Sequence, residues 1–74
     1  MLKDIYIQLL DEGTEVYRPV PALQVNDNVY KLEGYDIYER VKDDEVWEFT
    51  PGMMVIVEEK NLSDGAYLVA IQEI

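Results

Sequence analysis

The chain has 74 residues, enough for one small domain, and it contains neither cysteine nor histidine. Disulfides and the usual zinc ligands are therefore excluded, so a compact barrel or a subunit interface has to supply stability. The chain has sixteen acidic and six basic residues, so its net charge is −10, which disfavours nucleic acid and anionic membranes as partners. Hydrophobic residues make up 49% of the sequence, and this content predicts a folded chain.

The first half of the chain predicts three strands. DIYIQLLD, residues 4–11, alternates apolar residues at period two and ends at the turn-forming DEGT. EVYRPVPALQV, residues 15–25, is rich in Val and Tyr, but Pro19 and Pro21 cannot donate to a ladder, so this strand lies at an edge or contains a bulge. NDN then favours a turn, and VYKLEG, residues 29–34, returns as the third strand of a hairpin.

The second half begins with a weak signal and ends with two strong ones. Residues 35–48 fit one helical turn or a long loop equally well. Pro51 and Gly52 then suit the two central positions of a type II turn. MMVIVEEK, residues 53–60, and AYLVAIQEI, residues 66–74, predict two further strands joined by the turn NLSDG. The sequence therefore predicts one all-β domain over residues 1–74, a small five-stranded antiparallel SH3-like barrel.

The location of the protein is predicted from what the sequence lacks. The first residues, MLKDIYIQLLDEG, contain neither the apolar core nor the small-residue cleavage site of a secretory signal. No apolar run approaches the roughly 18 residues of a membrane span. We therefore expect a cytoplasmic protein that binds neither membrane nor nucleic acid.

Three segments resemble a known group of proteins. EVYRPVPA, EVWEFTPGMMVIVEE and GAYLVAIQEI are similar to segments of small, functionally uncharacterised bacterial proteins, including ones encoded on integron gene cassettes. The likeness covers most of the chain except residues 35–44. It implies an SH3-like barrel, and it implies no activity and no site.

A second, local likeness points to a binding surface. Residues 35–59, YDIYERVKDDEVWEFTPGMMVIVEE, look like the aromatic and acidic loop of eukaryotic SH3 domains, which hold polyproline segments between tyrosines and loop acids. Trp47 does not match the position of that family's groove tryptophan, and the later Pro-Ser-Asn-Tyr segment is missing. This likeness implies a protein-binding surface formed by Tyr35, Tyr38, Asp43, Asp44 and Glu45. We add Trp47 to this predicted surface, because tryptophan frequently serves as an interface anchor.

The aromatic residues of this segment can also serve the core. Phe49 is predicted to be a core residue. For Trp47, burial and an exposed interface position are equally compatible with the sequence, because tryptophan serves both roles. Arg18 is expected to pair with Glu15 or Glu33, with anion binding as the alternative.

The sequence contains no pattern of residues that is typical of catalysis or of metal binding. Without Cys or His, a nucleophile would have to be Ser63, Thr14, Thr50 or a lysine, and none lies in a catalytic motif. The acids at 43–45 lack the spacing of a calcium loop. We therefore expect a non-catalytic module without metal or cofactor, whose partner is a protein.

The alternative to a separate partner is a second copy of the chain. Both strands after residue 52 have apolar residues on two faces. Self-association through one of these faces would strengthen with added salt, because salt screens the repulsion between two acidic chains. One set is predicted to point inward, Val55, Val57, Leu68 and Ala70, and the other outward, Met54, Ile56, Val69 and Ile71. The alternation of the sequence allows the reverse assignment as well.

Overall fold

The structure, a computed structural model, describes residues 2–74 and contains six strands and one short helix in that range. Each of the five predicted strands is present, and a two-residue strand follows the helix. The elements are β1 (Leu2–Leu10), β2 (Val16–Gln24), β3 (Val29–Leu32), α1 (Tyr35–Val41), β4 (Val46–Trp47), β5 (Met54–Leu62) and β6 (Gly65–Glu73).

Five of the strands form a ring. The order β2-β3-β5-β6-β1 is closed by the pairing of β1 with β2, and β4 pairs with the end of β1. All neighbours are antiparallel except β1 and β6, which are parallel where Tyr6 lies opposite Val69. A ring with an odd number of strands cannot alternate direction throughout, so five strands require one parallel pair. The predicted small all-β barrel is confirmed, with a mixed sheet in place of a purely antiparallel one.

Period-two alternation places one face of each strand in the core. In β1, Ile5 and Ile7 are fully buried, and Ile5 lies opposite the equally buried Val20 of β2. In the last hairpin the predicted inward residues are confirmed, because Leu68 packs against the core and the other members are buried. The predicted core position of Phe49 is confirmed as well. The core comprises Ile5, Ile7, Leu9, Val20, Ala22, Tyr30, Leu32, Trp47, Phe49, Val55, Val57 and Ala70.

The two prolines of β2 lie where no ladder hydrogen bond is required of them. β2 pairs with β1 along its length, whereas its pairing with β3 begins only at Ala22. The carbonyl of Pro21 accepts a hydrogen bond of 2.8 Å from the Glu33 amide on the β3 side. In a strand the nitrogen of a residue points to the same side as its carbonyl, so the nitrogens of Pro19 and Pro21 both face away from β1. β2 is therefore free of ladder bonds to the proline nitrogens on that side, as an edge strand would be, although it belongs to the closed ring and pairs with β3 from Ala22 onward.

Helix α1 settles the alternatives for residues 35–48 in favour of a short helix. Gly34 precedes it with φ of 81°, a left-handed conformation that glycine adopts without strain. The half-buried Ile37, Tyr38 and Val41 of the helix pack against the core. In the part of the chain that the structure describes, no helix is long and apolar enough to span a bilayer.

The turn between β4 and β5 has the predicted geometry. The Met53 amide donates to the Thr50 carbonyl over 3.2 Å, and Gly52 has φ of 94°. These are the hydrogen bond and the positive φ of a type II turn with Pro51 and Gly52 at its centre.

Candidate functional site

Four of the residues singled out in the sequence form an internal cluster, here called the Trp47 cluster: Arg18, Tyr38, Glu45 and Trp47. Trp47 is only 5% exposed, so it belongs to the core. The Tyr38 ring meets the Trp47 ring edge-on, with centroids 5.0 Å apart and planes at 68°. The Trp47 indole Nε1 donates to Glu45 Oε1 over 3.0 Å. The Trp47 cluster therefore satisfies its aromatic and polar groups within the chain.

Arg18 neutralises the carboxylate of this cluster. Arg18 Nε donates to Glu45 Oε1 over 2.7 Å, and Arg18 Nη2 donates to Glu45 Oε2, which gives a two-pronged ion pair. The predicted pairing of Arg18 with Glu15 or Glu33 is wrong. Arg18 lies opposite the core residue Ile7, so its side chain starts on the inward side of β2 and reaches the segment between α1 and β4.

The ion pair also shifts the ionisation of both partners. The hydrogen bonds from Arg18 lower the pKa of Glu45 from its ordinary value, the Trp47 indole lowers it further, and partial burial opposes both effects. The same hydrogen bonds raise the pKa of Arg18. Glu45 is therefore held as a carboxylate whose charge is already compensated.

The other predicted binding residues are exposed and do not take part in the contacts of the Trp47 cluster. Tyr35 is 51% exposed at the start of α1, beside a shallow depression that it lines with Leu2 and Pro21. Asp43 and Asp44 are exposed in the turn after α1. The structure thus divides the six predicted residues into a packed group and a solvated group, and it does not form one aromatic and acidic surface from them.

A different set of tyrosines forms an open cleft, here called the tyrosine cleft. Tyr6 of β1, Tyr17 of β2 and Tyr67 of β6 line a depression of about 480 Å³ together with the tip of the β5–β6 hairpin. The rings of Tyr6 and Tyr67 are tilted by 55° with centroids 4.7 Å apart. The remaining lining residues are Glu15, Leu62, Ser63 and Asp64.

The parallel closure of the ring brings these tyrosines together. Tyr6 lies opposite Val69, and Tyr67 precedes Val69 by two positions on the same face of β6. Tyr17 lies opposite Gln8, which is two positions from Tyr6 on the same face of β1. Three tyrosines that are distant in sequence therefore share one outer surface.

Two carboxylates accept hydrogen bonds from the phenols of the tyrosine cleft. Tyr67 Oη donates to Asp64 Oδ1 over 2.8 Å, and Tyr17 Oη donates to Glu15 Oε1 over 3.2 Å. The hydrogen bond to Asp64 is the main cause that raises the pKa of Tyr67. Burial and then the bond to Glu15 raise the pKa of Tyr17. No basic side chain lines the tyrosine cleft within residues 2–74, and neither carboxylate forms an ion pair there. The basic residue that the register places beside the cleft is Lys60, which lies opposite Tyr67.

A second depression adjoins the tyrosine cleft at Tyr17. It measures about 470 Å³ and contains the carboxylates of Glu12 and Asp44. Its basic residue, Arg18, is occupied by Glu45. We call the two depressions together the acidic groove. Two of the predicted binding residues, Asp44 and Glu45, thus line this groove with a tyrosine that the sequence did not single out. The rest of the second depression consists of Leu9, Val16 and Pro19.

The sequence carries part of the signal for the tyrosine cleft. Tyr6 stands between the buried Ile5 and Ile7, which predicts an outward tyrosine. Glu15 and Tyr17 are two positions apart, and Asp64 and Tyr67 are three apart. That these pairs meet Tyr6 depends on the closure between β1 and β6, which local patterns do not indicate.

In comparisons with known proteins, the chain matches no protein family, curated protein or solved structure. The resemblance to integron-cassette proteins stays a prediction. Within residues 2–74 no group of three carboxylates is arranged to hold a metal ion.

Proposed function

We propose that the protein is a non-catalytic binding module that holds a basic segment of a partner protein in the acidic groove. The observation that carries this proposal is the tyrosine cleft, in which aromatic faces lie beside carboxylates that form no ion pair within residues 2–74. The proposal keeps the predicted kind of partner and moves the aromatic part of the surface from Tyr35 and Tyr38 to Tyr6, Tyr17 and Tyr67.

The chemistry of the groove favours arginine and lysine. A guanidinium or ammonium group gains about 0.5–2 kcal/mol over a tyrosine face, depending on how far it is desolvated. Asp64 and Glu15 each accept one phenol hydrogen bond, and a carboxylate has further acceptor positions for a charged donor. The net charge of −10 would accelerate the encounter with a basic segment.

The extent of the groove favours a peptide over a small ligand. It runs from Asp64 at the hairpin tip, past Tyr17, to Asp44 after α1. Both depressions are open and shallow, which suits an extended chain with several basic residues more than an enclosed molecule.

The non-catalytic part of the proposal rests on the available side chains. Cys and His are missing from the sequence, and Ser63, the hydroxyl nearest the tyrosine cleft, lies in the exposed turn of the β5–β6 hairpin. The absence of cysteine also fits our proposal of the cytoplasm as the location.

The test is a titration of the ¹⁵N-labelled protein with a twelve-residue peptide of alternating arginine and proline. Amide shifts should concentrate on β1, β2 and the β5–β6 hairpin. Tyr67→Ala should weaken binding about 5–30-fold, the equivalent of about 1–2 kcal/mol. Tyr35→Ala is the matched control, since it removes an exposed tyrosine elsewhere and should leave affinity unchanged.

A pair of charge variants separates site binding from general attraction. Asp64→Asn removes a carboxylate from the tyrosine cleft, and Asp36→Asn removes an exposed one from α1. A larger loss for Asp64→Asn supports the proposal. Equal losses of affinity for the two variants, with amide shifts spread over the whole surface, would show that the peptide is attracted only by the net charge. That result would overturn the proposal.

A further inference from the structure

Strand β2 has unpaired backbone groups next to the second depression of the acidic groove. The Gln8 carbonyl, which lies opposite Tyr17, accepts a hydrogen bond of 3.0 Å from the Glu48 amide on the β4 side of β1. Gln8 and Tyr17 are therefore a pair without hydrogen bonds between them, so the amide and the carbonyl of Tyr17 point away from β1. Pro19, two positions later, presents its carbonyl on the same side.

No strand continues the sheet on this side of β2 within residues 2–74. The last hydrogen bond there is the one that the Pro21 carbonyl accepts from Glu33, after which the chain turns into α1 at Tyr35. In the same range, no hydrogen bond reaches the Tyr17 amide, the Tyr17 carbonyl or the Pro19 carbonyl. We call these three groups the β2 edge. Tyr17 is half-buried, Pro19 is exposed, and both line the groove, so the β2 edge is open to a ligand there.

We propose that the basic segment of the partner adds to the β2 edge as a further strand. The inference rests on the proposed function, since it states how the acidic groove holds that segment. Unpaired backbone groups at the edge of a sheet form a template for an extended chain, whose own backbone groups complete the ladder. The added strand accepts one hydrogen bond from the Tyr17 amide and donates two, to the carbonyls of Tyr17 and Pro19.

The β2 edge restricts the sequence of the segment that it accepts. Because Pro19 has no N–H, the edge offers one donor and two acceptors, and the segment has to supply two N–H groups. In either direction of pairing, these two groups belong to residues two positions apart. The residue between them points its nitrogen away from β2 and can be proline. Proline at either donating position would remove a hydrogen bond.

The charges around the β2 edge favour basic side chains on the added strand. Side chains of a strand alternate between the two faces of the sheet. Tyr17 and its hydrogen-bonded partner Glu15 lie on the outer face, whereas Glu45 meets β2 from the inward face. Glu12 and Asp44 line the same depression. An arginine or lysine of the segment therefore meets carboxylates on whichever face it points to.

A second copy of the chain suits the β2 edge less well than a basic segment does. Two copies paired along this edge would bring the carboxylates of two acidic grooves together, and each copy has a net charge of −10. The face for which the sequence predicted self-association also loses a member, because Val69 is buried. Self-association therefore stays a prediction of the sequence.

The test uses the ¹⁵N-labelled protein and two twelve-residue peptides of equal charge. One alternates arginine and proline, so that each arginine can donate its N–H, and in the other each arginine backbone nitrogen carries a methyl group. We expect the first peptide, at saturation, to slow solvent exchange of the Tyr17 amide roughly 10-fold or more, measured by NMR. The methylated peptide should bind about 10–100-fold more weakly, because the donors to two carbonyls are lost.

The Asn28 amide is the matched control, since Asn28 lies in the exposed turn between β2 and β3, and its exchange should stay unchanged. If the two peptides bind equally, or if the Tyr17 amide exchanges as in the free protein, strand addition is overturned. In that case amide shifts in the groove would still support the proposed function. If neither peptide binds, the proposed function fails, and strand addition fails with it.

Discussion

The Trp47 cluster and the tyrosine cleft are built from the same kinds of side chain and differ in what completes them. Each combines aromatic rings with a carboxylate that accepts a hydrogen bond from one of those rings. In the Trp47 cluster the carboxylate of Glu45 also has a cation, Arg18, and the indole is covered by the core. In the tyrosine cleft the carboxylate of Asp64 forms no ion pair within residues 2–74, and the rings are half-buried at the surface of the barrel.

The comparison supports the proposal that aromatic and acidic residues bind a partner where the chain leaves their interactions incomplete. Arg18 provides in the Trp47 cluster the interaction that a basic residue of a partner would provide in the tyrosine cleft. The Trp47 cluster is therefore expected to contribute to stability, and the tyrosine cleft to binding. Four measurements test this division.

Trp47→Ala should have the largest effect, because it removes the largest side chain of the core. Such truncations cost about 3–5 kcal/mol, and a domain of this size is stable by only about 4–11 kcal/mol. Urea denaturation followed by circular dichroism should show a free energy of unfolding about 3–5 kcal/mol lower than that of the wild type. A variant with nearly unchanged stability would mean that Trp47 is not a core residue, and it would contradict the assignment of the Trp47 cluster to stability.

Arg18→Ala should follow, with a loss of about 1–3 kcal/mol in the free energy of unfolding, because it leaves the partly buried Glu45 carboxylate without its charged donor. The matched control is Lys42→Ala, which breaks an exposed pair with Glu39 and should cost about 0–0.5 kcal/mol. If both substitutions cost the same, Arg18 and Glu45 form an ordinary surface pair.

The pH dependence of stability should report the same ion pair with a smaller effect. The pKa of Glu45 is lower in the folded chain than its ordinary value of 4.5, so the folded state favours the carboxylate. Its contribution is therefore complete well above pH 4.5 and is lost as the pH falls through the lower folded-state pKa. The stability difference between wild type and Glu45→Gln should shrink as the pH falls through this range.

Glu39→Gln serves as the control for this pH series, since Glu39 is an exposed carboxylate in a surface pair. The difference between wild type and this variant should be small at every pH. A Glu45→Gln difference that stays constant on acidification would mean that the ion pair does not distinguish the folded from the unfolded state.

The smallest predicted effect concerns the phenols of the tyrosine cleft. The hydrogen bond to Asp64 raises the pKa of Tyr67, because ionisation would lose that bond and place two negative charges together. Asp64→Asn should therefore lower the pH at which one tyrosine ionises, measured by tyrosinate absorbance. Asp36→Asn should leave the titration curve in place, and an equal shift for both variants would show that only the net charge acts on the phenols.

The sequence predicted the strands well because each has a local signal. Ile5, Ile7 and Leu9 alternate with outward residues, and the type II turn follows from Pro51 and Gly52 alone. Residues 35–48 gave no such signal, because their few apolar residues fit a helical turn and a loop equally well. In the structure the helix packs Ile37, Tyr38 and Val41 against the core, which is a contact between distant segments that local patterns do not indicate.

The candidate site was harder to predict, because it depends on contacts between distant segments. The acids Asp44 and Glu45 were identified from their loop, and they line the acidic groove. The sequence indicates only that Tyr6 and Tyr67 lie in strands, because their contact requires the closure of the barrel between β1 and β6. The pairing of Arg18 with Glu45 likewise depends on which face of β2 points to the segment after α1.

The parallel contact between β1 and β6 also has a consequence for how the protein folds. Tyr6 and Val69 lie in the first and last strands, so their contact closes a loop that contains almost the whole chain. Contacts of such sequence separation slow folding, because the entropy of loop closure is lost before the contact stabilises the chain. During synthesis β1 can pair with β2 early, but the tyrosine cleft forms only after β6 has emerged. The proposed binding surface is then among the last parts of the molecule to acquire its native structure.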